Sequence, residues 1–285
     1  GFHESLALRF IAYDPFFYAL GDSASALTSG GTVVHNVNNI RRRSGGPDLI
    51  GSGTKNTWEQ IPGNAMDAAV KAMIVTLDGT LYIATYYGSG GIVKATPSGR
   101  TGLGPLNWAA SPSGAAGGGR ALAFDPAGNL FVGGHFDNAN GVANTQRLAK
   151  YNGSVWSSIT PTAVADDLVL SLLLGYDGTL YAGGDFLNIN AVAATRIAKY
   201  DGATWTTLST GLNGSCLAMA TGTDGSVYAG AAFTAAGGVS NTNRIAKWSG
   251  TAWSALSTGM NGNVNAIVLA PDGSLYVGGA FTTAG

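Results

Sequence analysis

Short apolar runs alternate with Gly-, Asn- and Asp-rich breaks along most of this chain, and the runs recur in a fixed order. The clearest unit begins NRIAKWSGTAW at Asn243, continues through STGMNG, and closes with PDGSLYVGGAF at Phe281. An earlier copy reads TRIAKYDGATW from Thr195, STGLNG from Ser209, and TDGSVYAGAAF up to Phe233. Two independent anchors measure the period. Tryptophans stand at Trp58, Trp108, Trp156, Trp205 and Trp253, with gaps of 50, 48, 49 and 48. An aliphatic opens a second strand at Leu81, Leu130, Leu180, Val227 and Leu275, with gaps of 49, 50, 47 and 48. Each is followed six residues later by an aromatic: Tyr87, Phe136, Phe186, Phe233 and Phe281. An internal period near fifty residues signals a repeat architecture.

Within the unit the pattern predicts four strands. Residues 264–269 are small and branched, Asp272 and Gly273 supply a tight turn, and 274–281 return as the second strand. Residues 244–248 and 251–256, joined by Ser249-Gly250, are the third and fourth. Short β-branched and aromatic runs between turn residues favour strands, and no window carries a helical period.

A single such sheet is apolar on both faces and cannot bury them alone. Radial stacking buries both, so the fold class expected is all-β, a β-propeller of four-stranded antiparallel blades. The recurring Trp is placed between neighbouring sheets. The glycine pairs Gly133-Gly134, Gly183-Gly184 and Gly278-Gly279 are placed where backbones converge. Residues 49–61, carrying Trp58, read as an orphan third and fourth strand that would complete the last unit and close a ring of five blades. The alternative is a piece of a larger propeller.

The strand, LYVGG, aromatic and Trp order resembles the Kelch-type propellers of the galactose-oxidase kind, over residues 49–285. Residues 1–48 are different material, expected to be a short β segment and linker. Within them LRFIAYDPFFYA, from Leu8, resembles the corresponding segment of distal tail proteins of long-tailed phages. That resemblance implies a non-enzymatic tail-tip propeller that touches a host-surface protein or glycan and sits among other tail subunits on a virion. The alternative is a secreted or surface-anchored bacterial adhesion propeller. A sugar-active enzyme is the third reading.

Composition narrows this. Charged residues are 11% and the net charge is −1, which argues against a nucleic-acid partner. No apolar run reaches membrane-spanning length, so membrane insertion is not expected. One cysteine, Cys216, excludes an internal disulfide framework and a Cys-based zinc site. It is read as a small core residue. Copper chemistry of the galactose-oxidase type would need a Cys–Tyr crosslink and gathered histidines, whereas His3, His35 and His135 are scattered. No GxSxG, HExxH or GxxxxGK[ST] motif occurs. No enzyme activity, catalytic residue, metal or cofactor is therefore expected.

In a repeat, a site shows as departure from the pattern. The slot before the strand-ending aromatic holds Tyr86, His135, Asp185, Ala232 and Ala280, polar only in the earlier units. With the loop residues Asp137, Asn138, Asn140, Asn188 and Asn190 these form the candidate binding surface: Tyr86, His135, Asp185 and those five. Edge residues with solvent or backbone partners are the plainer reading. Arg147, Arg196 and Arg244, like Lys150, Lys199 and Lys247, recur and are read as stems covering apolar surface. Asp166-Asp167 is placed in an interblade loop. Asn152-Gly-Ser and Asn213-Gly-Ser are read as turn chemistry rather than glycosylation sites.

Overall fold

The computed structural model describes residues 69–76, 80–86, 91–96, 99–107, 118–161, 165–270 and 272–285. Residues 1–48, the 49–61 closure segment, Trp58 and Trp108 lie outside them.

The described chain is all β, built as antiparallel sheets repeated in order. Blade one is β1 (Ala69–Val75), β2 (Leu81–Tyr86), β3 (Gly91–Thr96) and β4 (Gly99–Asn107). Blade two is β5 (Gly118–Phe124), β6 (Leu130–His135), β8 (Leu148–Tyr151) and β9 (Trp156–Ser157), with β7 (Asn138–Ala139) in its long loop. Blade three is β10 (Val169–Leu174), β11 (Leu180–Gly184), β14 (Ile197–Tyr200) and β15 (Trp205–Thr207), with the small hairpin β12 (Asn188–Ile189) and β13 (Val192–Ala193). Blade four is β16 (Cys216–Thr221), β17 (Val227–Ala231), β18 (Ile245–Trp248) and β19 (Trp253–Ala255). The fifth sheet has β20 (Val264–Leu269) and β21 (Leu275–Gly279). The strands β1, β5, β10, β16 and β20 pack side by side in that order and form the inner lining. Among the described residues the sheets do not close into a ring.

The turns explain why these segments become hairpins. Between the first two strands of the second to fifth units a glycine takes the left-handed conformation: Gly128, Gly178, Gly225 and Gly273 have φ of 79–85°. Asp177, Asp224 and Asp272 accept the backbone N–H two residues on, at 2.8–3.1 Å, which fixes the turn. The Asn152 side chain does the same in the outer hairpin of blade two, accepting from Ser154 N–H and Val155 N–H.

The cores lie between blades rather than within them. One cluster joins Phe131 and Leu148 of blade two to Val169, Phe186 and Trp205 of blade three. The next joins Leu173, Tyr181 and Leu208 of blade three to Cys216, Phe233 and Trp253 of blade four. The strand-ending aromatics Phe136, Phe186 and Phe233 are fully buried. Trp253 crosses its boundary, and its indole Nε1–H donates to Leu208 O of the preceding blade at 3.0 Å. Truncating an aromatic in such a position costs about 3–5 kcal/mol.

A glycine of the second strand makes a close contact at three of the boundaries. A Cβ on Gly133 would sit 2.5 Å from Val169 Cγ1, on Gly183 2.6 Å from Cys216 Sγ, and on Gly230 2.4 Å from Val264 Cγ1. In blade one the roles reverse. Ala84 stands in the glycine's place, and the facing residue is Gly119, whose added Cβ would lie 3.0 Å from Ala84 Cβ. At Gly278, among the described residues, only Ala266 Cβ is near, at 3.9 Å. The face of β21 beside it is uncovered, and Tyr276 is 48% exposed.

The arginines do something other than lie along apolar surface. Arg147, Arg196 and Arg244 have φ of 61°, 65° and 64°, unusual for a bulky residue. Their backbone N–H groups donate to Phe136 O, Phe186 O and Phe233 O at 2.8–2.9 Å. Their guanidinium groups turn back onto carbonyls: Arg147 onto Phe136 O, Arg244 onto Ala232 O and Arg196 onto Leu212 O. Positively charged heads thus stitch carbonyls at the re-entry to the third strand. The lysines follow the expected pattern more closely, with Lys247 Nζ 5.6 Å from the Tyr228 ring centroid.

Candidate functional site

A β-bulge recurs at one place in every innermost strand. The register of the first two strands slips between Val70 and Ala72, Gly119 and Ala121, Val169 and Ser171, Cys216 and Ala218, and Val264 and Ala266. The skipped residues are Lys71, Arg120, Leu170, Leu217 and Asn265. A bulge re-aims the side chain of its extra residue, and four of these five face a common cavity. It has a volume of about 490 Å³, within the size range of small-molecule sites.

Three tiers line this axial cavity. The bulge tier gives Arg120, Leu170, Leu217 and Asn265. The residues two positions earlier give Leu168, Ser215 and Asn263. The slot before the strand-ending aromatic gives Asp185, Ala232 and Ala280. Because the scaffold repeats, each tier offers the same place several times, and chemistry enters where a member departs from its siblings.

The Asp185 carboxylate is half-buried and accepts a short hydrogen bond from Ser215 Oγ, across the boundary between blades three and four. The same pairing of slots elsewhere reads His135 with Leu168 and Ala232 with Asn263. Asp185 forms no ion pair among the described residues. Arg120 contributes a guanidinium to the same cavity wall, Asn263 and Asn265 two carboxamides, and the leucines an apolar surface.

His135 occupies the Asp185 slot in blade two. Burial lowers its pKa below the usual histidine value, and Arg147 and Arg120 lower it further against the opposing effect of Asp167 and Asp137. At neutral pH it is therefore an uncharged imidazole near the Arg120 side of the cavity. Asp137 is drawn away from the cavity into an ion pair with Arg147 at 2.8 Å. Cys216, fully buried behind the wall with its Sγ 3.8 Å from Ser171 Oγ, has its thiol pushed up to about 12 by desolvation and is unreactive.

The remaining sequence candidates are not gathered here. Asn138 Oδ1 accepts Gly141 N–H at 2.7 Å, and Asn140 is exposed with φ 51°, so both serve the turn of their loop. Asn190, φ 49°, accepts from Thr160 Oγ1 at 3.0 Å. Asn188 is held by the Asp166 carboxylate, which accepts its backbone N–H, its side-chain amide and the Leu187 N–H. Burial is the largest single influence on the Asp166 carboxyl and raises its pKa, but these hydrogen bonds together outweigh it and hold the carboxyl below the usual carboxylate range. Asn213 and Asn261 stand in the Asp166 slot and hold Thr234–Ala235 and Thr282–Thr283 in the same way. Asp166 is therefore a repeated latch. Tyr86 ends β2, and its side chain is not among those described.

Comparison with solved structures identifies the fold. The extracellular domain of a hybrid two-component system from B. thetaiotaomicron superposes with a TM-score of 0.51 at 10% identity, over 79% of this chain and 29% of that one. The virginiamycin B lyase from Staphylococcus aureus gives 0.48 at 14%, over 78% of this chain and 66% of that one. A gluconolactonase from Xanthomonas campestris gives 0.47 at 12%, over 74% and 69%. This chain thus spans less than two thirds of the length of the first two. No protein-family profile and no curated protein matches the sequence.

The β-propeller fold stands; the Kelch-type assignment does not follow from these likenesses. Two expectations are corrected. A non-enzymatic role was expected from missing motifs and from resemblance to a phage tail-tip segment. The similar structures include two enzymes, a lyase and a gluconolactonase, and no family match supports a phage tail. Missing motifs therefore carry little weight, because function lives in sites set on a fold and not in the fold itself. At these identities the likeness establishes architecture and not activity.

Proposed function

We propose that this chain is a small-molecule-binding propeller whose site is the axial cavity, centred on Asp185 and Ser215. The observation that carries the reading is the Asp185 carboxylate itself, in a cavity wall, in no ion pair among the described residues and held by the Ser215 hydroxyl. A carboxylate accepts several hydrogen bonds, so Asp185 has acceptor capacity left for a ligand donor. A ligand bearing hydroxyl or ammonium groups supplies that donor, and Asn263, Asn265 and Arg120 offer further polar contacts around it. A carboxylate joined to a serine hydroxyl is also a pair that accepts a proton from a bound molecule, so the arrangement suits acid–base chemistry as well as binding.

The test is a thermal-shift screen of small hydroxylated and amino compounds on the wild type and on Asp185→Asn. Compounds that raise the midpoint of the wild type are expected to lose that effect in the variant. Equal shifts in both proteins would place binding elsewhere and remove the reading.

A further inference from the structure

We infer that the outer hairpin of blade two is a self-modification site, at which the Asn152 side chain loses ammonia through a succinimide and leaves aspartate or isoaspartate in its place. The chain holds four Asn-Gly pairs: Asn140-Gly141, Asn152-Gly153, Asn213-Gly214 and Asn261-Gly262. The reaction needs a glycine N–H free to attack, a side-chain carbonyl ready to take negative charge, and an amide free to leave. At Asn152 all three meet. Gly153 N–H makes no hydrogen bond among the described residues. Asn152 Oδ1 accepts Ser154 N–H at 3.0 Å and Val155 N–H at 2.9 Å, two donors aimed at the oxygen on which charge develops. The first of these bonds closes a ring of atoms that contains both Asn152 Cγ and the Gly153 nitrogen. Asn152 Nδ2 has no partner among the described residues, and residues 152–155 are exposed to the water that the second step consumes.

The other pairs each lack one of these conditions. Gly141 N–H is taken by Asn138 Oδ1 at 2.7 Å. Asn213 turns its Oδ1 onto Thr234 and Ala235 N–H, and Asn261 turns its own onto Thr282 and Thr283 N–H, away from the following glycine. Their Nδ2 groups donate to Thr234 Oγ1 and Thr282 Oγ1 at 2.8 Å, which holds the leaving amide.

In the first step the Gly153 nitrogen attacks Asn152 Cγ and gives its proton to solvent. The Cγ–Nδ2 bond breaks, and the side-chain nitrogen takes up a proton and leaves as ammonia. Water then opens the succinimide at the side-chain carbonyl, giving aspartate, or at the backbone carbonyl, giving isoaspartate. The repeat shows what the aspartate product does to the fold. Asp201 stands in the same slot of blade three and accepts Ala203 and Thr204 N–H at 2.9 and 2.7 Å. Aspartate in place of Asn152 therefore keeps the turn and adds a negative charge, whereas isoaspartate lengthens the backbone and breaks it.

The experiment incubates the full chain in mildly alkaline buffer, folded and unfolded in urea, and follows each Asn-Gly pair by peptide mass mapping, with enzymatic methylation of isoaspartate as the readout of that isomer. In the folded chain Asn152 is expected to convert about tenfold faster than Asn140, Asn213 or Asn261, less than such donors contribute in an enclosed enzyme site. In urea the four rates should converge. Asn152→Asp should keep the wild-type thermal midpoint. Another pair converting first, equal rates in the folded chain, no conversion at all, or a lead for Asn152 that survives in urea each overturns the inference.

Discussion

The blade boundaries and the axial cavity are built from the same repeated strands, yet they obey opposite rules. At the boundaries of blades two to four the units repeat one another: a glycine facing a branched or small side chain and a buried Phe. Around the cavity the same slots hold different chemistry in each unit, Arg120 against Leu170 and Leu217, Asp185 against Ala232. Interior packing punishes a change of one methyl group, because the facing atoms are already in contact. A side chain aimed into an open cavity meets no such neighbour. The repeat can thus vary more freely in chemistry where it faces space, and that is where a site can form.

The sharpest way to break this contrast is to place a side chain in a boundary glycine. Gly183→Val should lower stability by about 3 kcal/mol or more, since its Cβ alone would lie 2.6 Å from both Cys216 Sγ and Ser171 Oγ. Gly278→Val, in the same slot of the fifth blade, should shift it by less than about 0.5 kcal/mol, because among the described residues its Cβ would meet nothing closer than Ala266 Cβ at 3.9 Å. Urea titration of both variants gives the comparison directly, and equal losses would mean that the β21 face is covered in solution.

A smaller effect is expected at the latches. Asn213→Ala removes three hydrogen bonds, to Thr234 N–H, Ala235 N–H and Thr234 Oγ1, at 2.8 Å each. In an exposed loop this should cost about 1–2 kcal/mol, whereas Asn213→Asp, which restores the residue type of Asp166, should recover most of it. Failure of Asp to rescue would show that the amide donor to Thr234 dominates.

The smallest effect is the pH dependence of stability. The His135 pKa is lowered on folding by burial and by Arg147 and Arg120, so the unfolded chain takes up its proton first as pH falls. The stability associated with an uncharged His135 is complete above the unfolded histidine value of about 6.5 and declines as pH drops through the lowered folded value. His135→Asn should flatten the thermal midpoint between about pH 7 and 5, and an unchanged slope would remove His135 as the cause. The exposed Asp177, Asp201 and Asp272, lowered chiefly by backbone hydrogen bonds, act on the more acid side.

Most of the fold is legible in the sequence, because two anchors in step and an Asp-Gly or similar turn per hairpin leave few architectures. The β12–β13 hairpin and the left-handed arginines are not legible, since short loop pairings and positive φ at a charged residue carry no compositional mark. For the site, comparing siblings in the pre-aromatic slot finds Asp185, which lines the cavity, and His135, which sits beside the Arg120 side. It overlooks Arg120 and Ser215, because neither stands in that slot: Arg120 is the extra residue of a bulge and Ser215 precedes its strand. The asparagines mislead for a physical reason: the amide chemistry that suits a ligand also closes turns.

The glycine–knob pairs also set rules for how such an array can grow or shrink. Each pair joins the second strand of one unit to the first strand of the next, as Gly133 to Val169 and Gly183 to Cys216. Loss of blade three or duplication of blade four leaves a glycine facing a branched or small side chain, so the new seam fits. Loss of blade two brings Ala84 against Val169, two side chains where the seam has room for one. Unequal crossing-over can thus renew the later units freely, while the first seam fixes which unit must follow blade one.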